Sequence, residues 1–136
     1  MYLSFDLGGT NIKAGIIASD GNILKKETLP TDVASGVEGI LKQFLKLKET
    51  LLFKTGIKEK DLIGVGIGIP GFICEEKGII TKAPNLGWKD IPLKKLEKTF
   101  SLPTFITNDA NAAALGEMWQ GAGKNKKNLL LITVGT

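Results

Sequence analysis

The sequence predicts an α/β fold in which helices cover a mixed β-sheet. Three largely apolar, alternating segments, 2–7, 12–18 and 22–29, are separated by the turn-forming stretches GGTN and SDGN and predict a meander of three strands. Segments with helical spacing and apolar runs then alternate along the rest of the chain. A meander followed by alternating helices and strands favours a mixed sheet with helices on its faces, and ligands are then expected at the carboxyl ends of strands.

The elements after the meander follow from their spacing and their end signals. Segment 32–54 has apolar residues at helical spacing and is followed by Gly56, so it predicts an amphipathic helix with a glycine cap. Pro92 suits the first turn of a short helix. The other predicted elements are strands over 62–69, 79–83, 103–108 and 128–134, the short helix over 92–100 and an alanine-rich helix over 109–120.

Composition excludes several classes of protein. A chain of 136 residues suits one domain, and its longest apolar run is shorter than the about 20 residues of a membrane-spanning helix. No basic segment of a secretory signal precedes Asp6, so we expect a cytoplasmic protein without a membrane partner. All 18 basic residues are lysines, and we interpret the net charge of +4 as solubility rather than nucleic-acid binding.

Two residue counts limit the possible chemistry. The chain contains no histidine, which excludes Ser-His-Asp and Cys-His catalysis within it and leaves carboxylates as candidate general bases. Its single cysteine, Cys74, is interpreted as a small apolar residue.

The motif DLGGTNIK places several polar groups at the end of the first predicted strand. Gly8 and Gly9 permit unusual backbone dihedrals and let N–H groups approach an anion. Asp6 is suited to hold Mg²⁺ directly or through water, while the Thr10 hydroxyl adds a donor and Lys13 a positive charge. The sequence leaves open the alternative of an ordinary β-hairpin turn with an incidental aspartate.

The motif GVGIGIPG satisfies the dinucleotide pattern G-x-G-x-x-G without its context. Pro70 lies inside the pattern, and the following FICEEKG does not predict the helix that a dinucleotide site needs. The glycines are better explained by close packing of a strand, with the backbone at Gly71 able to approach a small ligand.

Two further motifs contain amide and carboxylate side chains. Asn108 and Asp109 fall between a predicted strand and a predicted helix, where either residue can cap the helix. The functional alternative is a carboxylate base beside an amide that can hydrogen-bond a polyol. In APNLGW, Asn85 is either a turn residue or a sugar-binding amide.

Five motifs, in this order and spacing, carry a resemblance to a known family. FDLGGTNIKAG, GIGIPG, APNLGW, NDANAAALGE and ITVGT resemble the amino-terminal half of sugar kinases of the ROK family, glucokinase-like members above all. The resemblance covers essentially all 136 residues. It implies the actin-like ATPase fold, which is ribonuclease H-like, with residues 1–136 as its amino-terminal lobe.

The resemblance implies two phosphate loops for ATP. The first loop corresponds by position to Asp6, Gly8, Gly9, Thr10 and Lys13, with Mg²⁺ at or near Asp6. Gly135 and Thr136 correspond to the start of the second loop.

The resemblance also implies a sugar site and a reaction. Asn108 matches a sugar-binding asparagine, Asp109 a catalytic aspartate, and Gly71 and Asn85 further sugar contacts. The implied reaction moves the γ-phosphoryl group of ATP to a hexose, with the 6-hydroxyl of glucose as the expected acceptor. Phosphoryl transfer depends mainly on positioning and charge stabilisation, which these groups can supply.

The chain is shorter than these kinases. We therefore expect the carboxy-terminal lobe, with its structural zinc site, to be absent from this chain and the chain alone to be inactive. The full-length protein is expected to form a homo-oligomer. Two alternatives remain, a sugar-sensing transcriptional regulator of the same family and a non-catalytic actin-like ATPase or scaffold.

Overall fold

Residues 1–133, the part of the chain that the computed structural model describes, contain two β-sheets and three α-helices, joined by loops and short 3₁₀ helices. The helices are α1 (Gly36–Thr55), α2 (Leu93–Glu97) and α3 (Asp109–Gln120). The strands are β1 (Tyr2–Leu7), β2 (Asn11–Ile17), β3 (Ile23–Pro30), β4 (Gly64–Ile69), β5 (Phe72–Cys74), β6 (Ile79–Ala83), β7 (Trp88–Pro92) and β8 (Thr104–Asn108). None of the described helices has the length and apolar character needed to cross a membrane.

The larger sheet has the mixed topology that the sequence predicts. Its strand order is β3-β2-β1-β4-β8, with β1, β2 and β3 antiparallel as a meander and β4 and β8 parallel to β1. Because β1, β4 and β8 run in the same direction, their carboxyl ends lie at one edge of the sheet. The segments that follow these three strands therefore meet there.

The hydrophobic core lies between this sheet and α1. Alternate residues of β1, including Leu3, Phe5 and Leu7, are almost fully buried, as period-two strands facing one helix require. The ring of Phe5 lies 4.6 Å from that of Phe44 in α1, centroid to centroid. Gly56 ends α1 in the left-handed conformation, with φ of 69°, and its N–H donates to the Leu52 carbonyl, which confirms the predicted glycine cap.

The smaller sheet, with strand order β5-β6-β7, is only partly predicted by the sequence. The pattern predicts β6 but not its neighbours, because β5 has only three residues and β7, WKDIP, combines two charged residues with a proline and shows no clear alternation. Pro92 ends β7 and is the N-cap of α2, which stops at Glu97 rather than at residue 100. Phe72 of β5 borders the cleft described below.

The predicted strand over 128–134 is wrong for the residues that the structure describes. Residues 128–133 form no strand, and residue 134 lies outside the described part. Leu130 is 84% exposed and Ile132 is 76% exposed. An apolar run forms a strand only when a neighbouring strand pairs with its backbone groups, and this run has no such neighbour among the described residues.

Candidate active site

The carboxyl ends of β1, β4 and β8 bring the predicted site residues to one edge of the sheet. Asp6 of β1 is paired with Gly68 of β4, and Ile69 of β4 is paired with Asn108 of β8. Asp109 follows directly as the first residue of α3. The first glycine-rich turn, the segment after β4 and the start of α3 are thus neighbours.

A cleft of about 250 Å³ opens where these segments meet the end of β6. It is lined by Pro70, Gly71, Phe72, Pro84, Asn85, Asn108 and Asp109. The four residues predicted to contact sugar are among them. Three lining residues were not predicted, Pro70, Phe72 and Pro84, although each is adjacent in sequence to a predicted one. We call this space the Asn85–Asp109 cleft.

Asn108, rather than Asp109, caps α3. Its side-chain Oδ1 accepts hydrogen bonds from the N–H groups of Ala110 at 2.9 Å and Asn111 at 3.2 Å. Its Nδ2 donates to the Gly71 carbonyl at 2.9 Å, which ties the start of the helix to the segment after β4. Asn108 therefore has one amide hydrogen left for a ligand.

Asp109 is left with a free oxygen. Its Oδ1 accepts from the Ala110 N–H at 2.9 Å, while its Oδ2 accepts no hydrogen bond from the described residues. Because the capping role belongs to Asn108, the alternative of Asp109 as the helix cap is wrong. The carboxylate is half-buried at the first residue of α3, so its free oxygen faces the cleft-lining segments rather than the core.

Replacing Asn108 with alanine is expected to destabilise the protein by about 1–2 kcal/mol. The helix α3 loses its cap, and the Gly71 carbonyl loses its hydrogen-bond donor. Asn108→Asp keeps the capping oxygen and should lower the free energy of unfolding less. Denaturant unfolding measures the stability of both variants. Asn111→Ala is the matched control, since no side-chain hydrogen bond of Asn111 is found among the described residues. Equal stability of Asn108→Ala and the control would contradict the capping role.

The glycines of the first turn are needed for close contacts, not for unusual dihedrals. The Gly8 N–H donates to the Asn11 carbonyl at 2.9 Å and closes the turn, and neither Gly8 nor Gly9 has a positive φ. The sequence-based expectation about their dihedrals is therefore wrong. A Cβ on Gly8 would lie 2.9 Å from the Asn11 carbonyl oxygen, and one on Gly9 would lie 3.0 Å from the Cβ of Asn85. The turn thus packs directly against a residue of the cleft.

Asp6 and Lys13 face each other across β1 and β2. Their Nζ and Oδ2 atoms are 3.4 Å apart, and both side chains are more than half exposed, so the pair is weak and can exchange partners. No cluster of three or more metal-ligating side chains is found in the described residues. The arrangement fits Mg²⁺, which binds through one carboxylate together with water and phosphate oxygens. Gly135 and Thr136, predicted for the second phosphate loop, lie outside the described residues.

The comparisons with known proteins identify the family. The model of the ROK family matches residues 2–136. The chain belongs to the ROK family. Glucokinases of Halalkalibacterium halodurans and Thermotoga maritima are 46% and 40% identical to it, over 99% and 98% of the chain. The xylose repressor of Caldicellulosiruptor bescii is 34% identical over 98% of the chain.

Solved structures of the ROK family confirm the fold. The ROK glucokinase of Streptomyces griseus, in complex with glucose and AMPPNP, superposes with a TM-score of 0.78 and 34% identity, over 91% of this chain and 38% of that one. The ROK hexokinase of Thermus thermophilus has a TM-score of 0.73 and 34% identity, over 86% of this chain and 38% of that one. The fold is therefore the actin-like ATPase fold of ROK sugar kinases. The chain spans 41% of the length of the H. halodurans and T. maritima glucokinases.

Proposed function

We propose that this chain supplies the hexose site and the first phosphate turn of an ATP-dependent sugar kinase, with the 6-hydroxyl of glucose as acceptor. The observation that carries the proposal is the Asn85–Asp109 cleft, where a carboxylate with a free oxygen lies beside two amides and against a glycine turn. Glucokinases are among the relatives, and the related enzyme from S. griseus binds glucose and AMPPNP. These observations support a kinase more than a scaffold, which needs no such cleft.

In the proposed reaction Asp109 accepts a proton. The hexose hydroxyl attacks the γ-phosphorus of ATP, a new O–P bond forms as the bond to the β-phosphate oxygen breaks, and ADP leaves. The hydroxyl proton passes to the free Oδ2 of Asp109 as the O–P bond forms. Mg²⁺ bound with ATP would neutralise phosphate charge.

The other residues of the site bind and orient. Asn85 and the remaining amide hydrogen of Asn108 are suited to hydrogen-bond sugar hydroxyls, because an amide discriminates polyol geometry without adding charge. The N–H groups of Gly9 and Thr10, which make no backbone hydrogen bond in the described residues, are donors for phosphate oxygens. On the adjacent strands β1 and β2, Asp6 is placed to bind the Mg²⁺ of Mg–ATP and Lys13 to bind its phosphate charge.

We also propose that the chain alone is inactive, since it spans about two fifths of its relatives. We propose further that the rest of the site and a structural zinc lie in the part of the protein beyond this chain. Gly135 and Thr136 are assigned to the start of a second phosphate loop, and the full-length protein is a cytoplasmic homo-oligomer. A half-site binds weakly, so glucose equal in concentration to its Kd adds only about 0.4 kcal/mol of stability. Calorimetry of the chain should then show a rise in Tm of about 2 °C or less at millimolar glucose. A rise of many degrees would contradict the half-site.

The sugar site can be tested in the chain itself by NMR. Glucose titrated into ¹⁵N-labelled protein is expected to shift the side-chain amide signals of Asn85 and Asn108. The signal of Asn22 is the internal control, because Asn22 lies in the turn between β2 and β3 and bonds only to Asp20 among the described side chains. Uniform shifts that include Asn22, or no shifts at glucose concentrations up to about 100 mM, would contradict the assignment of the cleft as a sugar site.

A sugar-responsive regulator is the second candidate, favoured by the 34% identity to the xylose repressor of C. bescii. A regulator would bind sugar in the same cleft without releasing ADP. The two candidates therefore predict the same amide shifts but different turnover.

A further inference from the structure

The first glycine turn is held in place by Thr31, the residue that directly follows β3. The Thr31 hydroxyl donates to the Gly8 carbonyl at 2.7 Å, and the Thr31 N–H donates to the Thr10 carbonyl at 2.8 Å. Both turn carbonyls that flank Gly9 are therefore directed toward Thr31. This residue lies 23 positions from Gly8 and outside every motif that the sequence singles out.

The direction of these carbonyls fixes the direction of the neighbouring N–H groups. In a trans peptide the C=O and the N–H point to opposite sides, so the Gly8 carbonyl that faces Thr31 leaves the Gly9 N–H facing away from it. A peptide between two glycines rotates with little steric resistance. If it flipped, the Gly8 carbonyl would replace the Gly9 N–H and present a negative dipole to an anion.

Thr31 is itself fixed by α1. The Gln43 side chain donates from Nε2 to the Pro30 carbonyl at 2.8 Å and accepts at Oε1 from the Asp32 N–H at 3.1 Å. These two bonds hold the backbone on both sides of Thr31. Helix α1, which is packed on the core of the sheet, is thereby linked through Gln43 and Thr31 to the turn.

We propose that Thr31 is a positioning residue that locks the Gly8–Gly9 peptide with its N–H directed at the phosphates of the nucleotide. The inference rests on the proposed function, because it takes the ligand of the turn to be Mg–ATP. Thr31 does not line the Asn85–Asp109 cleft. Its hydroxyl acts through the Gly8 carbonyl, so loss of the hydroxyl should affect nucleotide binding more than sugar binding.

The test compares three variants of the protein expressed from its complete gene. Thr31→Val keeps the shape but removes the donor, Thr31→Ser keeps the donor, and Thr50→Val removes a similar hydroxyl-to-carbonyl bond of 2.8 Å on α1 far from the turn. We expect Thr31→Val to raise the KM for ATP roughly three- to tenfold, as loss of one hydrogen bond does, with the KM for sugar nearly unchanged. Thr31→Ser should restore the wild-type value, and Thr50→Val should match the wild type.

Deuterium exchange of the backbone at residues 8–11 provides a second readout that needs no turnover. In Thr31→Val, the Gly8 N–H, which closes the turn on the Asn11 carbonyl, should exchange faster than in the wild type, and Mg–ATP should protect the Gly9 and Thr10 N–H groups less. An unchanged KM for ATP together with unchanged exchange would overturn the inference, and so would equal rises in both KM values. If the wild type releases no ADP with any sugar, the proposed function fails. Exchange of residues 8–11 with and without Mg–ATP then decides the role of Thr31 alone.

Discussion

Asp109→Asn is expected to lower kcat for sugar phosphorylation by roughly 10²–10⁴-fold, the range for loss of a general base. The variant should keep its fold, because Asn108 supplies the cap of α3. It should also keep its affinity for sugar within a few-fold, since an asparagine amide still hydrogen-bonds a hydroxyl. The measurements are kcat from ADP release and the sugar Kd from calorimetry, on the protein expressed from its complete gene.

The matched control for this variant is Asp90→Asn. Asp90 is an exposed carboxylate on β7, outside the Asn85–Asp109 cleft, and its positive φ of 51° is one that asparagine tolerates well. We expect this control to retain wild-type kcat. An Asp109→Asn enzyme that retains kcat within a few-fold would show that the proton is accepted elsewhere.

Gly71→Ala is expected to lower both stability and sugar affinity. A Cβ at Gly71 would lie 2.8 Å from the Cβ of Ala83 and 2.8 Å from the Lys82 carbonyl oxygen, both in β6. Since one contact is to backbone, the segment after β4 must move, at a cost of about 1–3 kcal/mol. That movement also pulls the Gly71 carbonyl from Asn108 and deforms the cleft. Denaturant unfolding and sugar titration measure the two effects.

Gly66→Ala is the matched control for the effect at Gly71. Gly66 lies in β4, five positions earlier, and a Cβ there would meet no atom within 4 Å. Its stability is expected to stay close to wild type. Should Gly71→Ala be as stable as Gly66→Ala and bind sugar equally well, the close packing of β6 against Gly71 would not be what shapes the cleft.

The sequence predicts the elements whose cause is local. The meander follows from alternation and turn residues, and α1 and α3 follow from helical spacing with end signals such as Gly56. The strand over 128–134 is mispredicted because a strand depends on a neighbour, which local composition does not encode. Strand β5 is missed because it has only three residues, and β7 because WKDIP lacks alternation; both are defined by pairing with β6.

The site is predictable in its members but not in its arrangement. The motifs identify Asn85, Asn108 and Asp109, yet the sequence alone leaves Asn108 and Asp109 equally able to cap α3. The bonds from the Ala110 and Asn111 N–H groups to Asn108 decide between them. The bond from Asn108 to Gly71, which spans 37 positions, then fixes the amide in the cleft. The contact of Gly9 with Asn85 is also long-range, and no pattern near either residue predicts it.

The decisive measurement for a sugar kinase is sugar-dependent ADP release by the protein expressed from its complete gene, across a panel of hexoses. We expect ADP release to be negligible with ATP alone and to rise with one hexose, expected to be glucose, with one sugar phosphate formed per ADP. Binding of glucose and Mg–ATP without ADP release for any hexose would contradict the kinase and favour a regulator.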